Sequence, residues 1–152
     1  MNEQKQSADS QANAPALTVQ DVDSATTMGQ LWSVVRTRER HATDLVATDV
    51  VRDGYMEHGH PASLGFQHLS TMTSSRIRKQ FPLADKSEPL FAVLYAEGKV
   101  IAAEEIVKKY EARRDGKNYD YAKSINARFA KLFKRLSEFK DKILELEYND
   151  KH

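Results

Sequence analysis

The chain has 152 residues and no cysteine, with 30% charged residues and a formal net charge of +1. A chain of this length can bury a hydrophobic core, and the lack of thiols excludes disulfide scaffolds, thiolate metal sites and cysteine nucleophiles. The near-neutral net charge indicates no global attraction to nucleic acid or to a membrane, and the sequence holds no apolar run of about 18 residues that could span a bilayer.

Residues 1–16 are predicted to form a polar N-terminal arm. They carry no large apolar side chain after Met1, so they cannot bury enough surface to offset the entropy lost on ordering. The first residues also lack the apolar region of a secretory signal. We therefore expect a soluble, intracellular (cytoplasmic) protein or a component of a virion or similar particle.

A first helix is predicted to begin at Thr18, whose hydroxyl can cap the free N–H groups of the first turn. Leu17 and Val22 flank this cap with the spacing of a hydrophobic staple. The helix would open an N-terminal helical region that covers residues 17–86.

Two further helices are predicted in this region, a long and kinked one from about Met28 to Met56 and a shorter one from Ser63 to Gln80. Gly59 and Pro61 separate them, because glycine and proline both interrupt helices. Apolar periodicity gives the residues expected to face inward. They are Leu31, Val35, Ala42, Leu45 and Met56 in the long helix and Phe66, Leu69, Met72 and Ile77 in the shorter one.

The segment Ser87-Glu88-Pro89 is typical of a helix start, and a helix is predicted from there to Arg114. The alternative for residues 90–103 is a β-hairpin around Glu97-Gly98. The helix is favoured because residues 102–109 are strong helix formers and because a lone hairpin would have no sheet to join.

The clearest pattern is an unbroken heptad repeat near the C-terminus. The apolar residues, spaced alternately by three and four, are Ala122, Ile125, Phe129, Leu132, Leu136, Phe139, Ile143 and Leu146. This spacing keeps one apolar seam on a helix facing a partner helix. In a parallel self-pair Arg135 would face Lys140 of the other chain, so the expected partner is the protein's own chain or a more acidic protein.

The predicted fold class is all-α, an elongated and coiled-coil-like bundle of four or five helices. Residues 87–152 are expected to form an antiparallel helical hairpin, since the helices 90–114 and 118–148 are joined by a short turn at Asp115-Gly116. Glu97, Glu104 and Glu111 would lie opposite the basic residues of the returning helix.

Two basic clusters, residues 76–79 and 117–135, are candidates for phosphate binding. The second holds six basic residues against one acidic residue, with aromatic side chains between them. The candidate ligands are Arg76, Arg78, Lys79, Lys123, Arg128, Lys131, Lys134 and Arg135. The alternative is a solvated face, because Lys and Arg beside an apolar seam cover it with their aliphatic stems.

His58 and His60 form the only local histidine pair, and two imidazoles are fewer ligands than a metal ion requires. Exposed turn histidines are therefore expected, with no metal site. The sequence contains no phosphate-binding glycine loop, no nucleophile elbow and no metalloprotease motif. No enzymatic activity, cofactor or small-molecule ligand is expected.

The sequence therefore predicts a non-enzymatic structural, assembly or adaptor subunit. It would act through helix-mediated interaction with other protein subunits of a larger complex such as a virion. The alternative is a nucleic-acid-binding protein that uses the basic patches at 76–79 and 117–135. Membranes are not expected among its partners.

Overall fold

The computed structural model describes residues 19–152, and this part of the chain is all-α, as predicted, with no β-strand. A short 3₁₀ turn at Val22–Ser24 precedes six helices. These are α1 (Met28–Val46), α2 (Asp49–Glu57), α3 (Leu64–Gln80), α4 (Pro89–Arg114), α5 (Tyr121–Lys134) and α6 (Leu136–Lys151). No helix in residues 19–152 has the length and apolar character that crossing a bilayer would require. The predicted arm, residues 1–16, lies outside the described residues.

Helix α4 is the centre of the fold. Its first turn holds Pro89, whose fixed φ and missing N–H suit that position. Twelve of its residues are buried, and the other five helices all contact it. A helix with this many buried residues must be enclosed by others, so α4 serves as the axis on which the others pack.

Helix α4 runs without a break through Gly98, so the helical alternative for residues 90–103 is confirmed and the hairpin is not formed. Gly98 is needed here for close packing rather than for a turn. A Cβ atom at this position would lie 2.8 Å from Cγ2 of Thr73 in α3 and 3.1 Å from Cε1 of Phe129 in α5. The missing side chain lets both helices approach the α4 backbone.

The prediction of a helix that begins at Thr18 is wrong for the residues that the structure describes. Val19 and Gln20 have no regular structure, and only the 3₁₀ turn follows. Asp21 is the capping residue, and its Oδ1 accepts a hydrogen bond from the N–H of Ser24 at 2.8 Å. Leu17 and Thr18 themselves lie outside the described residues.

The long helix predicted from Met28 to Met56 is split into α1 and α2. Thr48 lies at the break with extended backbone, and its hydroxyl donates to the carbonyl of Leu45 at 2.7 Å, which ends α1. Helix α2 buries Val51 and Tyr55, so Met56 lies beside the buried face and is 58% exposed, contrary to the prediction.

The prediction for Phe66 in α3 is also wrong, because this side chain is 40% exposed. Gly65 takes the inward position instead. A Cβ atom on Gly65 would lie 3.3 Å from Cε2 of Tyr55, so α3 approaches α2 through its glycine. Leu69 and Ile77 are buried as predicted, and Met72 is half-buried.

The heptad helix is likewise split in two, so the described chain has six helices rather than the predicted four or five. Arg135 separates α5 from α6 with φ −87° and ψ 4°, and its N–H bonds to the carbonyl of Leu132 at 3.0 Å. This hydrogen bond spans three residues instead of the four of an α-helix, so the chain tightens at that point.

Candidate functional site

The predicted seam lies inside the protein. Six of its seven assigned residues are buried, namely Ile125, Phe129, Leu132, Phe139, Ile143 and Leu146. Leu136, next to the break, is half-buried, and Ala122 at the start of the repeat is exposed. Because α5 and α6 pack on α4, and α6 also contacts α1, the seam is covered by the protein's own helices.

Arg128 belongs to a partly buried ionic network between α4 and α5. Its guanidinium donates to Glu104 Oε1 at 2.5 Å and to Glu105 Oε2 at 2.9 Å. Glu105 is fully buried and also accepts a hydrogen bond from the hydroxyl of Tyr119. Burial alone would raise the pKa of Glu105, but the hydrogen bonds from Tyr119 and Arg128 outweigh it, so this pKa is lowered.

Arg135 is also engaged within the chain. Its guanidinium pairs with Asp23 at 3.3 Å and with Glu138 at 3.2 Å, and it lies 4.7 Å from the centre of the Phe139 ring. These contacts attach the N-terminal turn to the start of α6. Two of the eight candidate phosphate ligands, Arg128 and Arg135, therefore already have carboxylate partners.

The other six candidates lie on α3 and α5, two helices that contain no Asp or Glu at all. Together these helices carry seven Lys and Arg residues, Arg128 included. Arg76 links them. Its Nη1 donates to Asn126 Oδ1 at 2.9 Å, and its guanidinium lies 4.9 Å from the centre of the Phe129 ring. Two basic clusters that are far apart in the sequence thus become neighbours.

We define the α3–α5 surface as Arg76, Lys79, Lys123 and Lys134. Lys131 lies on the α4 side of α5, where it lines another groove with Glu97 and Arg128. Between the two helices runs a groove of about 420 Å³ whose lining includes Arg76 and Lys79. Lys123 and Lys134 are exposed, and neither forms an ion pair with any residue of 19–152. At 3.6 residues per turn these two lysines share one face of α5, on the side of Asn126 rather than of Arg128. Arg78 is tied back by a hydrogen bond to the carbonyl of Ala84.

A second cavity, of about 260 Å³, lies where α2, α3, α4 and α5 meet, and we call it the histidine–tyrosine cavity. Its lining joins the two turn histidines, His58 and His60, to His68 of α3. The hydroxyl of Tyr55 and Nδ1 of His68 are 2.9 Å apart and share a hydrogen bond. Burial raises the pKa of Tyr55 to about 12. This hydroxyl therefore stays protonated, and it can donate to Nδ1 of His68 or accept from it.

The sequence identified the pair His58 and His60 but not the cavity they line. His68, Tyr110 and Lys109 come from α3 and α4, and no local spacing relates them to the turn. Only the packing of four helices brings these groups together. Within residues 19–152 no group of three or more His, Cys, Asp or Glu side chains has an arrangement that could hold a metal ion.

Comparison with known proteins gives no further guidance. No protein-family model, curated protein or solved structure matches this chain.

Proposed function

We propose that the protein binds nucleic acid through the α3–α5 surface. The observation that carries the proposal is that Arg76, Lys79, Lys123 and Lys134 lie on two neighbouring helices without Asp or Glu, in a chain whose net charge is only +1, and none of the four pairs with a carboxylate of residues 19–152. Such a one-sided basic surface attracts a phosphate backbone.

The contacts would be to phosphates rather than to bases. Phe133, the aromatic residue of the groove, packs against Phe81 and Phe129 and is half-buried, so it does not offer a free ring for stacking. Lysine and arginine contacts to phosphate position a strand but carry no sequence information. Binding is therefore expected to be independent of sequence.

Salt dependence of oligonucleotide binding tests this proposal. The wild-type protein should bind a fluorescent oligonucleotide with an affinity that falls steeply with salt concentration, because bound counterions are released. The double variant Lys79→Gln with Lys134→Gln should weaken binding and reduce the slope by about 0.7–0.9 for each phosphate that the protein no longer neutralises.

The matched control is Arg36→Gln with Arg40→Gln, which removes two exposed cations of α1 and changes the net charge equally. This variant should keep the wild-type slope. Equal losses in both double variants would mean that only net charge matters, and the α3–α5 surface would then not be the binding site.

The second candidate function is that of a non-enzymatic assembly or adaptor subunit, and the outward face of α6 favours it. Leu144 is 64% exposed and Tyr148, one turn further, is 62% exposed. Beside them a groove of about 380 Å³ is lined by Leu90, Lys140, Ile143 and Leu144. Exposed apolar side chains at this spacing are typical of a helix that packs on another helix.

The occupant that fits this face is a second copy of the chain. In an antiparallel pair of α6 helices centred on Leu144, Lys140 of one copy lies near Glu147 of the other, and the two-fold axis repeats this contact. The predicted hairpin, residues 87–152, would present this face. The predicted arm, residues 1–16, would contribute to assembly in a larger particle.

Sedimentation at several protein concentrations tests the second candidate. The wild-type protein should form a weak, concentration-dependent dimer, and Leu144→Gln should abolish it. Met56→Gln removes an equally exposed apolar side chain from α2 and should leave the dimer intact. A wild-type protein that stays monomeric throughout, or a dimer that Leu144→Gln does not affect, would rule out this interface.

A further inference from the structure

The histidine–tyrosine cavity lies in line with the α3–α5 surface. Met72 lines both the cavity and the groove between α3 and α5. Helix α3 contributes His68 to the cavity, and two to three turns further along it contributes Arg76 and Lys79 to the groove. At 1.5 Å per residue, Met72 and Lys79 are about 10 Å apart along the helix axis. A strand that follows the basic surface could therefore reach the cavity with one end.

Lys109 supplies an ammonium group to the lining of the cavity. Its Nζ lies 4.9 Å from the ring centre of Tyr121 and 5.4 Å from that of Tyr110. It forms no ion pair with a carboxylate of residues 19–152. An ammonium group held by two aromatic rings keeps its charge free for an anion.

The hydroxyl of Tyr121 is a second donor without a strong acceptor. Its one protein partner in the described chain is Sδ of Met72 at 3.3 Å, and a thioether is a weak acceptor. Burial raises the pKa of Tyr121, so the hydroxyl keeps its proton. It can turn from the sulfur to an oxyanion at little cost.

Among residues 19–152 no carboxylate lines the cavity, and two carboxylates on the helices that form it already have cations of their own. Glu105 on α4 is paired with Arg128 and Lys108, and Glu57 at the end of α2 is paired with Arg113. The three imidazoles add further N–H groups. Hydrogen-bond donors therefore outnumber acceptors among the side chains that line the cavity.

We propose that this cavity binds a phosphate monoester, and that the monoester is the terminal phosphate of a nucleic-acid strand. The second part rests on the proposed function. A monoester carries about −1.5 to −2 charge near neutral pH, against −1 for an internal phosphodiester, so it gains more from Lys109 and the imidazoles. The volume also fits. At about 260 Å³ the cavity is smaller than most ligand pockets and suits a phosphate group better than a whole nucleotide.

Three oligonucleotides of one sequence test this inference, carrying a 5′-phosphate, a 3′-phosphate or hydroxyl groups at both ends. We expect one of the two phosphorylated oligonucleotides to bind about tenfold more tightly than the one with hydroxyl ends. A difference of this size is what one well-placed set of charge-assisted hydrogen bonds would give. Lys109→Gln and, separately, Tyr121→Phe should bring this ratio close to one. The control Arg36→Gln should leave the ratio unchanged, and circular dichroism checks that each variant is folded.

The outcomes separate this inference from the proposed function. Salt-dependent binding with equal affinity for all three oligonucleotides would overturn the cavity assignment and leave the α3–α5 surface standing. If no oligonucleotide binds but inorganic phosphate shifts the His68 resonances of the wild-type protein and not of Lys109→Gln, the monoester site stands and the nucleic-acid proposal fails. If neither oligonucleotide nor phosphate binds, both are overturned.

Discussion

The two flanks of helix α5 carry similar charges but differ in what those charges contact. On the flank that faces α4, Arg128 is paired with Glu104 and Glu105. On the flank nearer Asn126, Lys123 and Lys134 are exposed and have no carboxylate partner among residues 19–152. A basic residue on one helix is therefore structural or available to a ligand depending on the helix beside it.

The difference in side chain between the flanks agrees with this division. Arg128 is an arginine, whose planar fork can bond two carboxylates at fixed angles. The exposed positions are lysines, whose compact and strongly hydrated charge suits a solvated surface. The comparison predicts large effects on stability on the first flank and small ones on the second.

The largest effect is expected for Arg128→Ala. Removing the guanidinium takes away the closest cation of the buried Glu105 carboxylate, which keeps only hydrogen bonds from Tyr119 and Ser124 and the more distant Lys108. Breaking a buried ion pair from one side is strongly destabilising. We expect the free energy of unfolding to fall by about 2–4 kcal/mol in urea denaturation. The control Lys131→Ala, an exposed cation on the next turn, should change it by less than about 0.5 kcal/mol.

A pH dependence of stability sharpens the same comparison. The pKa of Glu105 is lower in the folded protein than in an unfolded chain, so its contribution to stability is complete above the unfolded value and is lost as the pH falls through the folded value. Wild-type stability should therefore decline below about pH 4.3, the ordinary value for glutamate. Glu105→Gln removes this dependence. Parallel acid-induced slopes for the two proteins would mean that other carboxylates dominate.

The sequence predicted much of the fold because its apolar periodicity is strong. The heptad repeat identified six residues that are buried, and helix-forming residues decided in favour of a helix through Gly98. The breaks at Thr48 and Arg135 were not predicted as helix ends. Each coincides with a local hydrogen bond to a carbonyl three residues earlier, and neither position holds a glycine or proline that would have marked the break.

The candidate site was predicted less well. The sequence identified the basic residues of both clusters but could not separate those with carboxylate partners from those without, because Glu104 and Glu105 meet Arg128 only after α4 and α5 have packed. It missed Lys109 and His68 for the same reason. Exposure and pairing are properties of the packed helices, and the local sequence does not determine them.

A moderate effect is expected for Arg135→Ala. This arginine pairs with Asp23 and Glu138, but both carboxylates are largely exposed, so solvent screens the attraction. We expect a loss of about 0.2–1 kcal/mol in the free energy of unfolding, which raised salt should reduce. If the free energy of unfolding falls as much as in Arg128→Ala, solvent exposure of the partner carboxylates does not explain the difference expected between the two arginines.

The smallest effect on stability is expected for the pair Lys79→Gln with Lys134→Gln. Both side chains are exposed, and neither forms an ion pair with residues 19–152, so their loss leaves no buried group without a partner. The free energy of unfolding should change by less than about 0.5 kcal/mol per site and should rise if mutual repulsion on the α3–α5 surface is relieved. Urea denaturation at low salt measures this change, and the α1 pair Arg36→Gln with Arg40→Gln is the control. A fall of more than about 1 kcal/mol would mean that these lysines cover apolar surface, and weaker binding of oligonucleotides by this variant would then reflect a damaged fold.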